Sequence, residues 1–186
     1  MTYRALFLIT SSAAIAGCAS SDVVREAEPL SAVQLYSKRD SIVAQMKGTT
    51  IDDYFEVLAR LLPGGFGGLT ASYVWMKDPS QASEMARTAN VLAACPSGGI
   101  PYLALLQGGN VMRGAYDWVE LRTWYRQILA SGPFGGNSAD IDEGVNRLTF
   151  TFTTQAELEQ FRARVTSLGV PAGALNLEIR GPAVPL

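Results

Sequence analysis

Between Leu148 and Arg180 the chain alternates residue types in two different rhythms, and no other stretch restricts the fold as much. Leu148, Phe150 and Phe152 alternate with Thr149, Thr151 and Thr153, a period of two with β-branched residues on one face, which predicts a strand. Thr154 and Glu157 then have the spacing of a capping box. Leu158, Phe161, Val165 and Leu168 follow at intervals of three, four and three, the stripe of a helix with one buried side. Gly169 ends that helix and Pro171 prevents its continuation. Leu175, Leu177 and Ile179 alternate with Asn176, Glu178 and Arg180, so the segment reads strand, helix, strand.

A looser version of the same order occurs earlier. Leu69, Ala71, Tyr73 and Trp75 alternate with Thr70, Ser72 and Val74 as in a half-buried strand. Asp78 and Pro79 have the cap and first-position chemistry of a helix start, and Ala82, Met85, Ala89 and Leu92 face inward from that helix. Ile100 to Gln107 is nearly continuous apolar sequence and predicts a central strand. Leu69-Thr70 corresponds to Leu148-Thr149, and Gln81-Ala82 to Gln155-Ala156, which makes a degenerate repeat over about 66–107 and 140–180. Two copies are too few for a solenoid. Half-polar strands and one-sided helices bury each other best as an α+β fold, a small, largely antiparallel sheet with helices on one face.

The remaining elements are shorter. Thr50 and Asp53 cap a helix whose buried stripe is Ile51, Phe55, Leu58 and Leu62, and which Pro63-Gly64 stops. Asp52 and Asp53 sit in its first turn, where acids complement the helix dipole. The region 30–46 contains a helical signal without clean periodicity. Gly64 to Gly68 follows a helix and opens a strand, lacking the lysine and the order of a phosphate loop, and reads as a turn. Gly108 to Gly114 is a connection. Tyr116 to Arg122 is predicted as a strand, with a short helix from Thr123 to Ala130 capped by Thr123. A longer helix with Trp118, Leu121, Tyr125 and Ile128 inward is the competing reading. Asp140, Asp142 and Glu143 precede Gly144 and Asn146 in a hairpin turn whose spacing fails the calcium-loop pattern.

Composition removes many activities. The 186 residues include no histidine, which excludes Ser-His-Asp and Cys-His catalysis and imidazole zinc sites. A formal net charge of −2 offers no basic excess for nucleic acid. A hydrophobic fraction of 48% against 17% charged residues predicts a packed core. Cys95, in an apolar run, reads as a core residue. No enzyme, cofactor or metal is expected. Paired carboxylates acting on a glycan are the least unfavourable catalytic alternative.

The N-terminus carries Arg4, an apolar segment from Ala5 to Ile15, then Ile15-Ala16-Gly17-Cys18, the n-region, h-region and cleavage-site order of an export signal. It is too short to span a bilayer. This leader resembles that of bacterial lipoproteins, in which Ile15, Ala16 and Gly17 would form the lipobox and Cys18 would be acylated. The resemblance implies removal of residues 1–17, a lipidated flexible tether over 18–29, a single domain over 30–186, and membrane attachment through palmitate-like chains on Cys18. Ala19 in place of an aspartate implies the outer membrane, facing the periplasm.

A second resemblance rests on Leu62-Pro63 with Phe66-Gly67-Gly68, Asp78-Pro79, Val119-Glu120-Leu121-Arg122, Asn146-Arg147 and Gly169-Val170-Pro171. Together these are similar to the non-catalytic N-terminal segments of secreted bacterial chymotrypsin-like serine proteases, although no Gly-Asp-Ser-Gly-Gly motif is present. It implies a small α/β module that docks onto a protein, or an inhibitor or folding assistant of a secreted protease. Phe66, Trp75, Trp118, Trp124 and Tyr125 are the candidate contact residues for an envelope protein partner, since aromatic rings gain large contact area at small entropic cost.

Overall fold

The computed structural model describes residues 30–46, 50–94, 106 and 110–181. The leader, Cys18, the tether and Cys95 lie outside the described residues. Within them, four of the five long helices begin on a capping box, because a hydroxyl or carboxylate and an acid or amide three residues later satisfy the orphan N–H groups of a first turn. Ser31 and Gln34 open α1 (Ala32–Gln45), and Thr50 and Asp53 open α2 (Ile51–Leu61). Asp117 and Glu120 open α4 (Trp118–Ala130), and Thr154 and Glu157 open α5 (Gln155–Ser167). The exception, α3 (Ala82–Ala93), continues a short 3-10 turn, Pro79–Gln81, that Asp78 caps through the Ser80 N–H.

The α+β class read from the patterning is the class of this fold, and the strand, helix, strand unit predicted over Leu148 to Arg180 forms, whereas the earlier unit closes on a strand at Asn110–Arg113 and not on the predicted one. Their strands divide between two sheets. One sheet has the order β1 (Phe66–Leu69), β2 (Tyr73–Met76), β3 (Asn110–Arg113), and the other β4 (Ser138–Asp142), β5 (Arg147–Phe152), β6 (Leu175–Ile179). In each, a hairpin makes an antiparallel pair and a helical crossover returns the chain parallel to the middle strand. Turn-linked neighbours pair antiparallel, whereas strands joined through a helix on one face pair parallel, so each sheet is mixed.

Four local expectations change. The alternating run predicted from Leu69 to Trp75 is a hairpin whose turn is Thr70 to Ser72, and Val74 and Met76 are the fully buried residues, not Tyr73 and Trp75. Thr70 drives that turn: its hydroxyl accepts from the Ser72 and Tyr73 N–H groups, both at 3.2 Å. The strand expected over Tyr116 to Arg122 is the start of α4, because Asp117 caps it and Glu120 completes the box. Thr123 is therefore interior to the helix, where its hydroxyl donates to the Val119 carbonyl. The connection expected at 108–114 contains β3. Of the strand expected over Ile100 to Gln107 only Leu106 is described, buried and helical.

The core is continuous across both sheets. On β5, Leu148, Phe150 and Phe152 are fully buried, and Phe161 of α5 lies 4.6 Å from Phe150 and 5.0 Å from Phe152, ring centre to ring centre. The threonine face of β5 is buried too, satisfied by cross-strand bonds from Thr149 to Asp142 and between Thr151 and Ser138. Helix α4 links the halves: Trp118 packs edge-on against Phe55 of α2, while Tyr125 stacks on Phe150.

Candidate functional site

Asp53 and Glu56 lie one turn apart on the same face of α2, and Arg122 and Arg126 lie one turn apart on the facing side of α4. Packing the two helices brings opposite charges together at a partly dry interface. Arg122 pairs with Asp52 and, through Nη2 at 2.6 Å, with Asp53. Its Nε lies 3.7 Å from Glu56 Oε2. Arg126 Nη2 lies 2.9 Å from the same Glu56 oxygen, and Arg60 Nη2 reaches the other Glu56 oxygen at 2.7 Å. Asp53 simultaneously accepts the Thr50 N–H on Oδ2 at 3.2 Å, so one carboxylate caps the helix and anchors the network. Burial, and then the Arg126 charge, lower the Arg122 pKa from the ordinary arginine value.

This network forms one wall of a cleft of about 540 Å³ that is also lined by Ile42 and Gln45 of α1 and by Met46, which follows that helix. The buried members are Asp53 and Glu56, whereas Arg60 and Arg126 reach solvent. Asp52 lies outside the lining, so within it two acids, Asp53 and Glu56, face three guanidinium groups and the wall carries a formal charge of +1. Glycan hydrolysis by two carboxylates needs the acids on opposite sides of the scissile bond. Here both come from one helix and share two arginines, Arg122 and Arg126. Asp52 and Asp53 do occupy a dipole-complementing first turn, as their sequence position implies; their long-range partner Arg122 is what the sequence reading missed. With α4 read as one helix, the i, i+4 pair Arg122 and Arg126 would have been the signal.

The structure distributes the aromatic contact candidates through the fold. Phe66 and Trp118 are fully buried and hold the core, so neither presents a contact surface. The Trp118 indole N–H donates to the Asp52 carbonyl at 3.2 Å. Trp75, half-buried, donates to the Glu143 carbonyl. Trp124 packs edge-on against Tyr116, and the Tyr125 hydroxyl donates to the Ala139 carbonyl at 3.1 Å. Cys18 and the residues Ile15, Ala16 and Gly17 lie outside the described residues. Among the described residues no group of three or more acids or cysteines is arranged to hold a metal ion, and no helix is long and apolar enough to cross a membrane.

Compared with known proteins, the sequence matches no family model and shows no significant similarity to a curated protein.

Proposed function

We propose that this chain is a lipid-anchored protein of the bacterial cell envelope whose folded part binds or braces an envelope protein and carries no catalysis of its own. The observation that carries the reading is the order of Arg4, the apolar segment Ala5 to Ile15, and Ile15-Ala16-Gly17-Cys18. Acyl chains on Cys18 would hold the molecule on a membrane without any dedicated membrane-binding surface, since each buried methylene contributes ~0.8 kcal/mol. Ala19 favours the outer membrane, facing the periplasm.

Two features of the folded part support binding over chemistry. The carboxylates of the cleft between α1, α2 and α4 are engaged by arginines, and the exposed Arg60 and Arg126 offer donors at its rim. Metabolic labelling with a palmitate analogue tests the anchor: wild type should take up label and fractionate with the outer membrane, and Cys18→Gly should do neither. An intact leader found by mass spectrometry on the wild-type protein would overturn it. Cross-linking in the intact envelope tests the binding role, with Arg126→Glu expected to lose a specific adduct that wild type forms.

A further inference from the structure

Glu56 holds two guanidinium groups at once, one on each oxygen: Arg60 Nη2 lies 2.7 Å from Oε1 and Arg126 Nη2 lies 2.9 Å from Oε2. The carboxylate is buried, whereas the two arginine side chains are 44% and 54% exposed, and both line the cleft between α1, α2 and α4. A guanidinium carries five N–H donors. Among the described residues, Nε and Nη1 of Arg60 and of Arg126 have no acceptor, so each group uses one nitrogen on the acids of α2 and keeps the others for water. The two groups are gathered on one buried anchor. Much of the rotamer freedom that a ligand would otherwise have to remove is therefore already gone.

The charge of the lining selects the ligand. Two carboxylates and three guanidinium groups leave +1, which a single carboxylate balances. A phosphate dianion would bring surplus negative charge up to Asp53 and Glu56, which are buried where like charges are poorly screened. A carboxylate also matches the donors, because a planar guanidinium meets both of its oxygens. Ile42 and Met46, four positions apart and half-buried, add apolar surface to the same cleft. Its volume of about 540 Å³ admits a short stretch of peptide.

We propose that this cleft binds an acidic peptide segment, with one side-chain carboxylate bridging Arg60 and Arg126 on the solvent side as Glu56 bridges them on the buried side, and an adjoining apolar side chain on Ile42 and Met46. The segment belongs to the envelope protein of the binding role proposed above, on which this assignment rests. Both arginines already reach solvent, so their donors are open to a ligand with the helices as they stand.

The test is a titration of the full chain, ¹³C-labelled at the methionine methyl groups and held in phosphatidylcholine nanodiscs, with acetyl-Leu-Glu-amide as the probe. The controls are acetyl-Leu-Gln-amide, which lacks the charge, acetyl-Gly-Glu-amide, which lacks the apolar group, and acetyl-Leu-phosphoserine-amide, which carries the dianion. The Met46 methyl should shift saturably with the probe, and each control should bind at least about tenfold more weakly. Replacing both arginines, Arg60→Gln with Arg126→Gln, should abolish the Met46 response. The fully buried Met76 and Met85 methyls should keep their positions in that variant and so report an intact core. A Met46 signal of wild type that does not saturate, or a control that binds as tightly as the probe, overturns the proposal whether or not the variant folds. If Met46 stays silent while Arg126→Glu still loses its envelope adduct, the acidic segment falls and the binding role stands.

Discussion

Asn146 bonds to Gly67 across 79 positions of sequence: its Nδ2 donates to the Gly67 carbonyl at 3.0 Å. The same nitrogen donates to the Tyr116 carbonyl at 3.0 Å, and Oδ1 accepts the Tyr116 N–H at 3.1 Å. One side chain, almost wholly buried, thus ties the β4–β5 turn to the first sheet and to the chain entering α4. Its backbone has φ +54°, a left-handed conformation that asparagine tolerates better than other side chains. Tyr73 and Trp75 reinforce the joint by donating to the Gly144 and Glu143 carbonyls.

Asn146→Ala should therefore destabilise the protein by about 3 kcal/mol, through unsatisfied buried backbone groups and a left-handed alanine. Asn146→Gly keeps the backbone geometry but not the bonds and should lose about 2 kcal/mol. Urea unfolding with an unchanged slope checks both. Values near zero for the pair would mean that water replaces the asparagine without loss.

Gly67 is the other half of this joint. A Cβ there would stand 2.6 Å from the Tyr116 carbonyl oxygen and 2.8 Å from Asn146 Nδ2. Gly67→Ala should cost about 2 kcal/mol, in the range of overpacking. Combined with Asn146→Ala it should cost less than the sum of the two changes, because both break one contact. Strict additivity in the double-mutant cycle would show that the two residues act separately.

Removing one side of the α2–α4 ion network should depend on which side is buried. The Arg122 side chain is 11% exposed and pairs with three acids, Asp52 and the buried Asp53 and Glu56. Arg122→Met leaves those acids without their main counter-charge and should cost about 3 kcal/mol. Arg126, 54% exposed, is screened by water, and Arg126→Ala should cost only about 0.5 kcal/mol. Thermal unfolding of the two variants measures the contrast, and equal losses would overturn the division.

Local rules were legible wherever residues within one turn of each other decided the outcome. The Thr154 and Glu157 box, the Thr50 and Asp53 box and the Leu158, Phe161, Val165 stripe form as their spacing implies. Long-range pairing was not legible. Val74 and Met76 are buried because their face of β2 is the one turned to the shared core, and which face that is a single strand's alternation does not reveal. The match of Leu69-Thr70 with Leu148-Thr149 sets β1 against β5, whereas the shared element order sets β2 against β5; Gln81-Ala82 and Gln155-Ala156 both lie at helix starts, one position out of register. Arg122 escaped notice because its acids lie on another helix, and the cleft they share exists only once α2 and α4 have packed.

Glu143 gives the joint a pH dependence of unusual sign for a carboxylate. Burial raises its pKa above the ordinary glutamate value, a bond from its own N–H opposes the rise in part, and the Asp140 and Asp142 charges add to it. The folded state therefore holds the proton more tightly than the unfolded state. Where pH lies between the two pKa values, folding takes up a proton, and stability falls as pH rises. The contribution is complete below the unfolded value and lost above the folded one. Glu143→Gln imitates the neutral form at every pH, so the variant should be more stable than wild type at pH 7. The difference should vanish on acidification below about pH 4, where both states of the wild-type residue are protonated. Paired urea titrations across this range isolate Glu143, because every other titrating group is common to both proteins. A difference that stays constant with pH would assign the effect to packing of the side chain against Gly68 instead of to its charge.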